Sequence, residues 1–201
     1  MIHVVYIMGC SGCGKSTVGD HLAKLISGIP DRRAVFLDGD DYHSEESRRR
    51  MASGIPLTDA DRLPWLHAIR DDMHHRVEAW ETAPDADAYA GQYVIVACSA
   101  LKPSYRAILR DEAEHPRPEE GINAKHRVDF VYLDAPQAVL EARVGARTGH
   151  YMHRNMVASQ IQTLELPAPD QTNDCVITVD ATKPIEEVVR SAATQLDVPT
   201  P

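Results

Sequence analysis

Aromatic residues and long apolar runs are both scarce in this chain of 201 residues. Phe, Trp and Tyr make up 5% of the sequence against 43% for all hydrophobic residues, which predicts an aliphatic core of single-domain size. No apolar run approaches the roughly eighteen residues that a membrane-spanning helix needs. The first apolar run, Ile2–Met8, is short and has no basic leader of the kind that signal peptides carry. These absences argue against a membrane partner and predict an intracellular, cytoplasmic protein.

Positive charge is also in short supply. The chain has 30 acidic and 21 basic residues and a formal net charge of −9. A nucleic acid or an anionic membrane surface would require a basic surface, so neither is expected as a partner. An anionic ligand must therefore meet a local cluster of positive charge. The four cysteines are expected to be reduced in an intracellular protein; they are Cys10, Cys13, Cys98 and Cys175.

A phosphate-binding pattern stands near the start of the chain. Residues 9–17 read GCSGCGKST, which fits the template G-x-x-x-x-G-K-[ST], and a strand-like run precedes them while a helical pattern follows from Lys15 to about Ile26. The backbone N–H groups of such a loop and the helix N-terminus attract phosphate oxygens. Lys15 can follow the β- and γ-phosphates, and the Ser16 hydroxyl can bind Mg²⁺. The alternative is a chance glycine-rich turn. The pattern predicts an ATP and Mg²⁺ site formed by Gly9, Ser11, Gly12, Cys13, Gly14, Lys15, Ser16 and Thr17.

Two cysteines of this loop, Cys10 and Cys13, form a C-x-x-C pattern. A helix N-terminus lowers the pKa of a nearby thiol, so a redox role is one interpretation. A closed zinc site would need four ligands. The preferred interpretation is that two variable positions of the loop happen to be cysteine.

Strand-like apolar runs alternate with helical patterns along the whole chain. This alternation predicts one α/β domain over residues 1–201, with a five-stranded parallel sheet covered on both faces and a P-loop NTPase fold of the nucleotide or shikimate kinase type. Residues 81–92 and 114–125 are rich in turn formers and predict two exposed, mobile insertions. Residues 143–158 predict a small helical lid. The strand-like runs are Ile2–Met8, Ala34–Leu37, Tyr93–Ala97, Val128–Leu133 and Cys175–Val179.

Three carboxylates and an imidazole follow the second strand in Asp38–His43, which reads DGDDYH. The carboxyl edge of a parallel sheet is where ligands bind. One carboxylate there, Asp38 or Asp40, can hold a water of the metal ion, and another can accept the proton of an attacking hydroxyl. The alternative is a polar turn capped by aspartates.

Asp134 ends an apolar run that resembles a Walker B strand. We interpret Asp134 instead as a helix N-cap ahead of Pro136.

Several further motifs occur in a specific order. The chain resembles the small P-loop gluconokinases in its DGDDYH run and along most of its length. It departs from the family pattern at Ser44, Ser47 and Arg50, where the family usually has Pro, Asn and Lys. The other matching segments are residues 51–57 (MASGIPL), 59–66 (DADRLPWL), 98–102 (CSALK), 105–106 (YR), 143–152, 159–160 (SQ) and 164–167 (LELP).

The resemblance implies ATP-dependent phosphorylation of D-gluconate on its 6-hydroxyl. It implies that Asp38, Asp40, His43, Lys102 and Arg106 bind the substrate. Arg106 suits a carboxylate better than Lys102, because a guanidinium pairs with it in bidentate fashion. Solvated charges at the start of a helix are the alternative for both residues.

For catalysis the resemblance implies roles for Lys15, Asp40 and Arg147. Asp40 orients the hydroxyl or takes its proton, and Arg147 swings in from the lid to neutralise the transferring phosphoryl group, with Arg143 beside it. A basic helix end is the alternative for the two arginines. Relatives also suggest a homodimer. The competing functions are a kinase of another small hydroxylated acid such as shikimate, and a non-catalytic nucleotide-binding protein.

Overall fold

Strands and helices alternate in a computed structural model of the protein, which describes residues 1–111, 126–146, 154–167 and 176–199. Short 3-10 turns lie at Gly39–Tyr42 and Ala86–Ala88. This order confirms the predicted α/β class. The described strands are β1 (Ile2–Met8), β2 (Arg32–Asp38), β3 (Gly91–Ala97), β4 (His126–Asp134) and β5 (Val176–Asp180). The described helices are α1 (Lys15–Ser27), α2 (Glu45–Ala52), α3 (Asp59–Glu81), α4 (Pro103–Leu109), α5 (Gln137–Gly145), α6 (Arg154–Thr163) and α7 (Ile185–Gln195).

All five strands are parallel, in the order β2-β3-β1-β4-β5. Val5 at the centre of β1 lies between Ile95 of β3 and Asp129 of β4. The carboxyl ends of the strands therefore meet at one edge, which brings together the loops after β1, β2 and β3. The predicted five-stranded parallel sheet is confirmed, although β2 begins at Arg32 rather than Ala34, because its first two residues are charged and carry no apolar signal.

Two apolar layers cover the sheet, one on each face. Alternate residues of a strand point to opposite faces. In β1, Val5 and Ile7 pack with α1 and α7, whereas Val4 and Tyr6 pack with α3 and α4. This two-sided burial explains why the strands read as continuous apolar runs rather than alternating ones.

The two predicted insertions differ in what the structure describes. In the first, most of residues 82–90 are exposed as expected, but Gly91 and Gln92 are buried in β3. Arg33 contacts aromatic residues near both ends of this first insertion, because its guanidinium lies 4.5 Å from the ring centres of both Trp80 and Tyr89. The second insertion, residues 114–125, lies outside the described residues. Within the described part of the chain, no helix has the length and apolarity to cross a membrane.

Candidate active site

The loop between β1 and α1 has the backbone geometry that a phosphate cradle requires. Gly9, Gly12 and Gly14 have φ values of 137°, 89° and 101°. A side chain at Gly12 would place its Cβ 2.7 Å from the carbonyl oxygen of Leu140, so the loop could not lie this close to α5 without glycine. Gly14 is the N-cap of α1, and the first N–H groups of that helix are available at the loop.

Lys15 holds its ammonium group over the same loop. Its Nζ donates to the carbonyl oxygens of Gly9 at 3.0 Å and Cys10 at 3.2 Å. Both acceptors are neutral, so an anionic phosphate oxygen would be a stronger partner for the ammonium. Lys15 thus brings a full positive charge to the phosphate loop.

Ser16 and Asp38 join the phosphate loop to the turn after β2. Ser16 Oγ donates to Asp38 Oδ2 at 2.6 Å, and the other oxygen of Asp38 accepts from the backbone N–H of Asp40 at 3.0 Å. Asp38 thus caps the 3-10 turn Gly39–Tyr42 and contacts the loop. The hydroxyl and carboxylate are the hard oxygen ligands that suit Mg²⁺, either directly or through water. No group of three or more His, Cys, Asp or Glu side chains that could hold a metal ion occurs among the residues that the structure describes.

His43 lies buried beside Asp40. Its ring stacks on Trp65 with 4.4 Å between ring centres, and its Nε2 lies 4.0 Å from Asp40 Oδ1. Burial, together with the positive charges of Arg48 and Arg62, lowers the pKa of His43 to about 4. His43 is therefore neutral near pH 7 and can accept or donate a hydrogen bond. The Asp40 side chain is 61% exposed, so a ligand can reach it.

Helix α3 holds the turn that carries these two residues. Trp65 Nε1 donates to the carbonyl oxygen of Gly39 at 2.6 Å, and the Tyr42 hydroxyl donates to Asp72 on the same helix. Two hydrogen bonds from opposite ends of the turn thus fix its position, because they fasten it to two sites on one rigid helix.

A second charged cluster lies at the start of α3. The Asp59 carboxylate accepts from Lys102 Nζ at 2.7 Å and from the Tyr105 hydroxyl, and Arg62 donates to that hydroxyl at 3.3 Å. Lys102 is the predicted substrate residue of this group. Asp59, Arg62 and Tyr105 were not predicted individually. They do lie in the segments 59–66 and 105–106 that resemble the gluconokinase pattern.

The prediction that Arg106 binds the substrate is wrong. Its side chain is fully buried, and its guanidinium donates to the carbonyl oxygens of Ala100 and Glu165, each at 3.1 Å. A side chain with no exposed surface cannot contact a substrate in this arrangement. Arg106 instead joins the segment after β3 to the segment after α6. The sequence could not distinguish these roles, because a buried arginine and a ligand-binding arginine look alike at the start of a helix.

Gln160 on α6 contacts the phosphate loop, a contact that no local sequence pattern indicates. Its side-chain oxygen accepts from the backbone N–H of Ser11 at 2.6 Å, and both residues are buried. This bond links α6, which begins within the predicted lid, to the phosphate loop. The only available signal was the matching segment 159–160.

The two cysteines of the loop are buried free thiols. Burial raises the pKa of the Cys10 thiol to about 11, although Lys15 opposes the shift. This direction is opposite to the lowering expected from the start of a helix. The desolvation of the thiolate outweighs that attraction, which disfavours a reactive thiolate at Cys10.

Asp134 does not cap a helix, contrary to the prediction. It is the last residue of β4, and the N-cap position of α5 belongs to Pro136. The Asp134 carboxylate instead accepts from the Tyr132 hydroxyl at 3.2 Å. The prediction placed the helix one or two residues too early, which is the ordinary error at a helix boundary.

A cavity of about 390 Å³ adjoins the other side of the phosphate loop. Arg143, at the end of α5, lines it and donates to the carbonyl oxygen of Ala181 at 2.9 Å. Arg147, with the rest of residues 147–153 of the predicted lid, lies outside the described residues. The remaining lining residues are Gly12, Cys13, Gly14, Thr17, Val18, Ala146, Ala181, Lys183, Ile185 and Val188.

Comparison with curated proteins identifies the family. The chain is 35% identical to the thermoresistant gluconokinase of Escherichia coli K12 over 189 residues, which cover 94% of this chain and 90% of that protein. The chain belongs to the gluconokinase family. A probable gluconokinase of Xenopus tropicalis is 36% identical over 198 residues, covering 96% and 93% of the two chains. No protein-family model matches the chain.

Solved structures agree with this membership of the gluconokinase family. A gluconokinase from Sinorhizobium meliloti has a TM-score of 0.71 and 36% identity, with 97% of this chain and 91% of that chain covered. An unliganded sugar kinase from Janibacter has a TM-score of 0.74 and 35% identity, with 98% and 95% covered. The APS kinase of Mycobacterium tuberculosis, at 21% identity and a TM-score of 0.53, shares the fold over 97% of each chain. The predicted P-loop kinase fold is thereby confirmed.

Proposed function

We propose that this chain transfers the γ-phosphoryl group of ATP to the 6-hydroxyl of D-gluconate, giving 6-phosphogluconate and ADP. Membership of the gluconokinase family supports the reaction. The observation that carries the proposal is the 2.6 Å hydrogen bond between Ser16 of the phosphate loop and Asp38 of the DGDDYH turn. It supports the proposal because it joins the loop of the predicted nucleotide site to the turn of the predicted acceptor site at one edge of the sheet.

ATP would bind with its phosphates in the loop formed by residues 9–17 and its adenine in the adjoining cavity. Lys15 would exchange its two backbone acceptors for β- and γ-phosphate oxygens. Arg143 already lines the cavity, as do Ala181 and Lys183 from the loop after β5. Adenine would therefore pack between the base of the lid and the loop after the last strand.

Ser16 and Asp38 would hold Mg²⁺, Ser16 through its hydroxyl and Asp38 through a bound water. When bound, the ion neutralises charge on the β- and γ-phosphates. The 2.6 Å contact between the two residues supports this assignment, because it already brings the two oxygen atoms together.

The acceptor would lie along the turn after β2, with its 6-hydroxyl at Asp40. As the new O–P bond forms and the bond between the γ-phosphorus and the bridging oxygen of ADP breaks, the Asp40 carboxylate takes the hydroxyl proton. Neutral His43 accepts or donates a hydrogen bond to a neighbouring hydroxyl. Lys102 attracts the substrate carboxylate. Arg147 neutralises the transferring group as the lid closes and excludes water.

An assay of ADP release tests this proposal. The wild-type protein is given ATP, Mg²⁺ and a panel containing D-gluconate, other sugar acids and shikimate. We expect D-gluconate to be the preferred acceptor. Preference for shikimate would favour the alternative kinase, and nucleotide binding without ADP release from any acceptor would favour a non-catalytic protein.

Asp40→Asn separates the role of the carboxylate from its shape. The amide keeps the size of the side chain but is not a base, so we expect turnover to fall by about 10²- to 10⁴-fold, the usual contribution of a general base. The KM for ATP should change little. Turnover close to that of the wild type would remove Asp40 from this role.

Two further properties belong to the proposal. We expect the protein to be cytoplasmic, and the three cysteines in the described part of the chain are free thiols, as a reducing compartment requires. The resemblance to gluconokinases also predicts a homodimer. Light scattering after size-exclusion chromatography tests the oligomeric state.

A further inference from the structure

The carboxylate of Asp59 lies where several positive or hydrogen-donating groups converge. Lys102 Nζ is 2.7 Å from one of its oxygens, the Tyr105 hydroxyl donates to the other, and Arg62 is 3.9 Å away. The pKa of Asp59 is lowered, first by its hydrogen bond from Lys102 and then by that from Tyr105. These groups, Arg62, Lys102 and Tyr105, are called here the donor cluster.

The donor cluster is fixed, whereas the carboxylate that it holds is exposed. The Tyr105 ring is buried, and the cations of Arg62 and Lys102 lie 5.8 Å and 5.7 Å from its centre. The side chains of Arg62 and Lys102 are 10% and 24% exposed, but that of Asp59 is 59% exposed. Exposed ion pairs are weak. The carboxylate can therefore leave without disturbing the core, while the donors that it leaves behind stay in place.

The donor cluster adjoins the proposed acceptor site. Arg62 precedes Trp65 by one turn of α3, and Trp65 stacks on His43. The charge of Arg62 also acts on the imidazole of His43. A linear sugar acid carries its carboxylate at the end opposite the 6-hydroxyl. It can therefore extend from the donor cluster, past His43, to Asp40.

We propose that the donor cluster is the subsite for the substrate carboxylate, and that Asp59 occupies this subsite until the substrate displaces it. Asp59 thus acts as an internal competitor. It keeps the three donors paired when no substrate is bound and disfavours ligands that lack a carboxylate to exchange for it. This inference rests on the proposed function, because it assigns one end of the same acceptor.

Replacing Asp59 tests the proposal, because the proposal predicts in which direction the Kd for D-gluconate will change. In Asp59→Asn and Asp59→Ala, calorimetric titration should give a Kd for D-gluconate about two- to five-fold lower than in the wild type, since an exposed pair opposes exchange by that factor. D-gluconamide, the neutral analogue of the same length, should gain no such advantage. Lys102→Met should raise the Kd for gluconate by about ten-fold or more, because a charge-assisted hydrogen bond is lost, and change the Kd for gluconamide little.

Asp71→Asn is the matched control, since Asp71 lies on the same helix and pairs with Arg70 at 2.7 Å. Its Kd for gluconate should equal that of the wild type. Circular dichroism and the Tm of each variant show whether it is folded. A Kd for gluconate that is unchanged or higher in both Asp59 variants, or an equal shift for gluconate and gluconamide, would overturn the proposal and leave Asp59 as a brace between two helices.

The calorimetric titrations and the assay of ADP release together separate this inference from the proposed function. A wild-type protein that releases no ADP with gluconate would contradict the function. Tighter gluconate binding by the Asp59 variants would still support the subsite in that case, and the absence of any gain would overturn it.

Discussion

The buried imidazole of His43 makes the stability of the protein depend on pH in a way that one substitution removes. Burial lowers the pKa of His43 from 6.5 to about 4. Between these two values the unfolded chain binds a proton that the folded chain does not, so stability rises with pH across this window and falls as the pH drops from 6.5 towards 4. At about pH 4.5 the shift corresponds to about 2.5 kcal/mol of lost stability from this one group.

His43→Phe is the informative variant. A phenyl ring can keep the stack on Trp65, and within the described part of the chain His43 Nδ1 is buried with no hydrogen-bond partner, so that atom loses no bond. The free energy of unfolding of both proteins is measured by urea titration with circular dichroism at about pH 7.5 and about pH 4.5. The other shifted histidine, His3, is present in both proteins and cancels.

The expected result is a change in the stability difference between the two proteins. On going from about pH 7.5 to about pH 4.5, the wild type should lose about 2.5 kcal/mol more than His43→Phe. A difference that stays constant over this range would mean that His43 gains its proton as easily in the folded protein as in water. The assignment of His43 as a neutral, buried residue of the acceptor site would then be wrong.

Three other substitutions test separate parts of the site. Lys15→Met removes the cation over the phosphate loop and should lower turnover by several orders of magnitude while the Tm stays close to that of the wild type; near-normal turnover would exclude Lys15 from the reaction. Gln160→Leu leaves the buried N–H of Ser11 without its acceptor and should lower the free energy of unfolding by about 1 to 3 kcal/mol, measured in urea, whereas an unchanged value would mean that water replaces the bond. Gly39→Ala would place a Cβ 2.4 Å from the carbonyl oxygen of Ala97 and should destabilise the protein by roughly 3 kcal/mol in the same titration; stability equal to that of the wild type would contradict the close approach of the turn to β3.

The nucleotide side of the site could be predicted well because its signal is local. A strand, a loop with glycines at fixed positions and a helix occur within a short stretch, and the roles proposed for Lys15 and Ser16 follow from that local pattern. The position of Asp38 also followed from the chain, because the carboxyl ends of parallel strands share an edge. The contact between Ser16 and Asp38 joins the phosphate loop to the turn at the end of β2, and each of these was predicted from a local pattern.

The acceptor side was less predictable because its contacts are distant in sequence. Arg106 and Lys102 lie four residues apart and carry the same charge, yet Arg106 is buried on backbone carbonyls while Lys102 reaches Asp59. That difference depends on where the segment after α6 packs. Gln160 contacts a loop 149 residues earlier in the chain, and no periodicity or spacing could relate the two.

The central claim is phosphoryl transfer to one particular hydroxyl, and the most direct measurement is the structure of the product. Wild-type protein is incubated with ATP, Mg²⁺ and uniformly ¹³C-labelled D-gluconate, and the product is examined by ¹³C and ³¹P NMR. We predict a phosphomonoester whose phosphorus couples to carbon 6. Coupling to another carbon, or the absence of any phosphorylated gluconate under conditions in which ATP binds, would contradict the account.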